Sequence, residues 1–147
     1  MKKIFIALLA FLMLFLTACG ESKEEYIEKC QDPQTLEEYE KNSDEYIGNA
    51  YRIEGMVMGA EVLEKSEDGH NIYAFTLVGS GNSEGRLCTI QYYEDVTDEE
   101  ICAGDKVIVY GDFTRITGDS DYPYRILIDG NYVEYTYKNR SALTDNS

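Results

Sequence analysis

From residue 50 onward the hydrophobic pattern runs with period two and is broken by glycines inside the runs. Tyr51, Ile53 and Val57 alternate with Arg52 and Glu54, while Gly55 and Gly59 fall within the same stretch. Alternation of this kind puts one side of a strand on a core and the other toward water. Glycine within such a run marks a bend or bulge, the device by which small barrels turn corners. Further strands are expected over 71–78, 86–93, 106–116 and 124–129, and residues 132–137 alternate again before a polar tail. Turn-forming residues separate them at 66–69, 79–85 and 117–121, and 95–105 suits a short helical turn closed by Gly104. The chain is therefore mainly β, with five principal strands.

The region before residue 50 reads differently. Thr35 followed by Glu38 matches a capping box, and Leu36, Tyr39, Tyr46 and Ile47 give a narrow apolar stripe, so a helix is expected there, ended by Gly48. Residues 19–34 are polar and acidic and read as a tether with some short-helix character around 24–30. Ahead of them stand Lys2 and Lys3, then an uncharged apolar run over 4–16, then small residues, the parts of a secretory signal. That run falls short of the roughly 20 apolar residues of a spanning helix. Leu16-Thr17-Ala18-Cys19 resembles the lipobox of bacterial lipoproteins. The resemblance implies cleavage after residue 18, lipidation of Cys19 and a protein anchored at the extracytoplasmic face of a bacterial membrane. Two or more acyl chains hold durably, where a single chain binds only reversibly. The expected organisation is a signal peptide over 1–18, a tether over 19–34, a barrel domain with its N-terminal helix over 35–137, and a tail over 138–147.

Charge narrows the function. The formal charge of the whole chain is −15. Loss of residues 1–18 removes two lysines and no acid, which leaves −17 on the remaining 129 residues. Non-specific nucleic-acid binding depends on Lys and Arg displacing counterions, so it is disfavoured. Three cysteines follow Cys19, an odd number, and Cys88 with Cys102 is the expected disulfide, since oxidising space permits one. His70 is the sole histidine and lies in an exposed-looking turn, so neither a zinc site nor a Cys–His dyad is expected. Asp119 and Asp121 lack the spacing of an EF-hand loop. Glu94, Asp95, Asp98, Glu99 and Glu100 crowd one segment instead of flanking a cleft, which argues against a glycosidase pair. No cofactor and no catalytic residue is expected.

Residues 104–111 spell G-D-x-V-x-V-x-G. Five strands with a helical element between the third and fourth are the parts of an OB barrel, and this motif is similar to the fourth strand of many OB domains. With the lipobox, the chain resembles small bacterial lipoproteins carrying an anticodon-binding-like OB domain, over roughly 35–135. OB folds bind across strands 2 and 3 and the adjoining loops. The resemblance implies a non-enzymatic binding module for an envelope protein or a glycan, with Tyr73, Phe75, Arg86, Tyr92, Tyr93, Tyr122 and Tyr124 as the candidate ligand-binding residues. A metal-dependent hydrolase and a single-stranded nucleic-acid binder rank below it.

Overall fold

A computed structural model describes residues 20–65, 67–84, 86–117 and 125–140. Two helices, α1 (Lys23–Lys29) and α2 (Leu36–Tyr46), precede five strands: β1 (Ala50–Lys65), β2 (Asn71–Gly79), β3 (Leu87–Tyr93), β4 (Lys106–Thr117) and β5 (Arg125–Tyr137). The strands close into a barrel in the order β1-β2-β3-β5-β4, with β4 returning to β1. All pairs are antiparallel except β3 with β5. This mainly β, five-stranded closed barrel is OB-like. No described helix is long and apolar enough to cross a membrane.

Closure depends on β1 serving two neighbours. Its first half pairs with β4 and its second half with β2, and Gly55 belongs to both ladders, opposite Val107 and Gly79. A Cβ at Gly55 would press on the Val78 carbonyl, and one at Gly111 on the Asp129 carbonyl, so both sites need the missing side chain. The Gly104-Asp105 pair forms the entry to β4. Gly104 takes a φ of 88°, and the buried Asp105 carboxylate accepts from Cys102 N at 2.9 Å and Asn139 N at 2.6 Å. Between β3 and β4 the chain passes through turns at 94–95 and 103–104 and forms no regular helix. Among the described residues, the short helical element between strands is a 3-10 turn at Gly81–Ser83.

The core holds Ile53, Val57, Phe75, Leu77, Cys88, Ile90, Val107, Val109, Phe113, Ile126 and Ile128. Helix α2 closes one end. Its capping box forms as read, with Thr35 Oγ1 accepting from Glu38 N at 3.3 Å, and it delivers Tyr39 fully buried onto Phe113, ring to ring at 4.6 Å. The stretch read as a tether also packs on the barrel. Ser22 and Glu25 make a second capping box for α1, and Tyr26 is buried with Ala50 and Tyr110. The Tyr26 hydroxyl donates to Asp112 Oδ1 at 2.9 Å and accepts from Asn131 Nδ2 at 2.8 Å. Asn131 is free to do this because it bulges out of β5 opposite the Tyr110–Gly111 step. Gln31 then bridges to Tyr51 at the edge of β1.

Candidate functional site

The sequence-derived candidates divide by strand phase. In β2, Tyr73, Phe75 and Leu77 turn inward, and in β3 so do Cys88, Ile90 and Tyr92. Phe75 is 2% exposed and is a core residue, not a surface one. Tyr92 is 7% exposed and stacks on the half-buried Tyr73 at 5.4 Å, where the two rings sit at an end of the barrel. Tyr93, at the other phase, is 52% exposed. Arg86 is half-buried and donates from Nε to Gln34 O at 2.9 Å, joining the start of β3 to the segment before α2. Tyr122, Tyr124 and Cys19 lie outside the described residues. The expected Cys88–Cys102 disulfide does not form. Cys88 points into the core on β3, Cys102 lies half-buried in the connection after it, and both thiols are free, as is Cys30.

What the alternation leaves on the outside of β1, β2 and β3 is a different set. Met56, Val78 and Leu87 are mutual register partners, Met56 with Val78 and Val78 with Leu87, so they form one row across three strands. Met58, 55% exposed, adjoins this row where β1 bulges between Val57 and Gly59. Beneath it lies a groove of about 510 Å³ floored by Ala74, Thr76 and Thr89 and bounded by Met58, Leu87 and Arg125. Arg125 donates from Nη1 to Thr76 Oγ1 at 3.2 Å, which holds its guanidinium at the groove's edge. Aromatic type does not single these residues out as a group; strand phase does. The even positions of β1 and β2 already carried the signal.

A second cleft of about 510 Å³ opens at the barrel end beside Tyr73 and Tyr92, walled by Glu94, Asp98, Glu99, Glu100 and Ile101. Burial, and then the nearby Tyr135, Tyr73 and Glu100, push the Tyr92 phenol up to about 12. Glu94 clamps the rim: His70 Nδ1 lies 3.0 Å from its Oε1, and Asn71 donates to Oε2 from both N and Nδ2. These bonds, His70 first, hold the Glu94 carboxyl below its usual range. Burial pushes the Cys88 thiol up to about 12 and the Cys30 thiol up to about 11, so neither is a ready nucleophile. Among the described residues, no group of three or more His, Cys, Asp or Glu side chains is placed to hold a metal ion.

Compared with known proteins, the chain matches no protein-family model and no curated protein sequence.

Proposed function

We propose that the chain is a non-enzymatic, lipid-anchored binding module at the extracytoplasmic face of a bacterial membrane, and that it engages an envelope protein through the outer face of β1, β2 and β3. The observation that carries this reading is the cross-strand row of Met56, Val78 and Leu87 beside the exposed Met58 and the Arg125 groove. Single exposed apolar side chains need no explanation, whereas a contiguous patch rimmed by polar groups is the usual mark of an interaction surface. Methionine adapts to irregular partner surfaces. A glycan site at this position would want aromatic platforms, and Phe75, Tyr73 and Tyr92 turn their rings inward instead. The net charge of −15 on the chain favours a partner with a basic surface. The lipobox-like stretch supplies the anchor, and a Cys19→Ser chain is expected to leave the membrane fraction.

The test is quantitative co-purification. The tagged full chain is cross-linked in its own membrane, solubilised, and its neighbours are compared with those of a Met58→Asp, Val78→Asp double variant. Both changes sit on the outside of the barrel, and a thermal melt checks that the fold persists. A neighbour depleted about tenfold or more by the double variant supports the reading, since hot-spot residues cost 2 kcal/mol or more. An unchanged neighbour list overturns it.

A further inference from the structure

The barrel-end cleft is separate from the outer face and differs in chemistry. Two of its carboxylates are engaged within the chain, Glu94 by His70 and Asn71, and Glu99 by Lys138. Among the described residues no ion pair reaches Glu61, Asp98 or Glu100, which also line the cleft. A run of acids alone is only a solvated surface. Here it faces an aromatic wall, and that wall carries an unmatched polar group. Tyr92 is more than nine-tenths buried, yet its hydroxyl makes no hydrogen bond with any described residue. No fully enclosed side-chain oxygen or nitrogen among the described residues lacks a partner, so this hydroxyl opens on the cleft that its ring lines. The acidic side of the cleft is held in place, because the Tyr135 hydroxyl donates to the carbonyl of Glu99 at 3.2 Å and, more weakly, to that of Glu100 at 3.5 Å. Next to the cleft the chain already sets an ammonium on a tyrosine ring and a carboxylate together: Lys138 Nζ lies 4.2 Å from the Tyr135 ring centre and pairs with Glu99.

We propose that this cleft binds a small organic cation, an alkylammonium whose hydrocarbon part rests on the Tyr73–Tyr92 pair and whose charge faces Asp98 and Glu100. The Tyr92 hydroxyl supplies an acceptor for a ligand N–H or O–H. A cation within about 6 Å of a tyrosine ring is attracted by its quadrupole, and the carboxylates add Coulomb attraction in a partly enclosed space. An anionic or phosphate-bearing ligand would be repelled by the same groups. The volume of about 510 Å³ admits a group of several heavy atoms.

The experiment titrates the full chain, kept in a neutral maltoside detergent, with choline and with its neutral carbon isostere, following tyrosine ring resonances by NMR. Choline is expected to shift Tyr73 and Tyr92 and to bind roughly 2- to 30-fold more tightly than the isostere, the range a cation–ring contact contributes. Glu100→Gln and Tyr73→Ala should each weaken choline, Tyr73→Phe should not, and added salt should weaken it further. The Met58→Asp, Val78→Asp variant should bind choline normally, so failure of the outer-face reading and failure of this one are distinguishable. A blocked lysine amide run in parallel identifies the source. Tighter binding than choline points to a lysine side chain of a peptide, and weaker binding to a small quaternary ammonium, both within the proposal. Equal binding of the isostere, an absence of shifts at Tyr73 and Tyr92, or indifference to Glu100→Gln and Tyr73→Ala in a folded chain would overturn it.

Discussion

Replacing Phe75 by Ala asks which way β2 faces. The ring is 2% exposed, lies opposite Ile90 across the β2–β3 ladder and meets Tyr92 edge-on at 5.7 Å. Burying such a ring contributes about 1.5–3 kcal/mol, and the aromatic contact adds about 0.5–1.5 kcal/mol. A closed barrel relaxes little around a lost ring, so a cavity cost is added, and Phe→Ala in a packed core costs about 3–5 kcal/mol in total. Against a typical stability of about 5–15 kcal/mol this is a large share. For a chain of this size it lowers Tm by about 10–15 °C. The assay is urea unfolding of the full chain followed by far-UV circular dichroism, with Met58→Ala beside it as an outward-facing comparison expected to stay within about 0.5 kcal/mol. If Phe75→Ala costs less than about 1 kcal/mol at unchanged m, the inward phase of β2 is wrong, and so is the placement of the Met56, Val78 and Leu87 row outside.

Three further outcomes follow from the same packing. Asp105→Ala deprives Cys102 N and Asn139 N of a buried charged acceptor and should destabilise the chain by about 2–4 kcal/mol in the urea assay, with Asp105→Asn intermediate. Glu94 has a folded pKa below its unfolded value, so its contribution is full above the ordinary carboxylate range and disappears as pH falls through the lowered folded value. The stability difference between the native chain and Glu94→Gln, measured against pH, should therefore be present at neutrality and shrink toward zero below about pH 4. Alkylation mapped by mass spectrometry should leave Cys88 unmodified in the folded chain, with Cys102 reacting first and Cys88 reacting only after denaturation. A Cys88–Cys102 bridge in the folded protein would contradict that.

Much of the barrel was legible because its signals are local. The alternation around Ile53 and Val57, the Gly104-Asp105 turn and the Thr35–Glu38 cap each act over a few residues, and each forms as read. Long-range choices were harder to read. Asp129-Gly130-Asn131 has the composition of a loop, yet β5 runs through it, because Asn131 can bulge outward and spend its amide on Tyr26 and Asp112. Tyr26 in turn draws the acidic segment onto the barrel, where the short-helix character around 24–30 becomes a helix capped by Ser22 and Glu25. The candidate aromatic residues divide between interior and surface for a related reason. Tyrosine-rich strands invite an aromatic binding face, but in a closed barrel this small the large rings fill the interior, and the outer face is left to Met56, Met58, Thr76 and Thr89. Cysteine parity likewise says nothing about whether a thiol points into a core, as Cys88 does.

The most direct measurement places a photo-crosslinking residue at Met58 of the full-length chain in living cells, with the same residue at Lys41 on the exposed side of α2 for comparison. The expected result is a discrete adduct with one envelope protein from position 58, absent from position 41 and lost when Val78 is also changed to Asp. Equal labelling from both positions, or an adduct indifferent to Val78→Asp, would contradict a partner-binding role for the outer face.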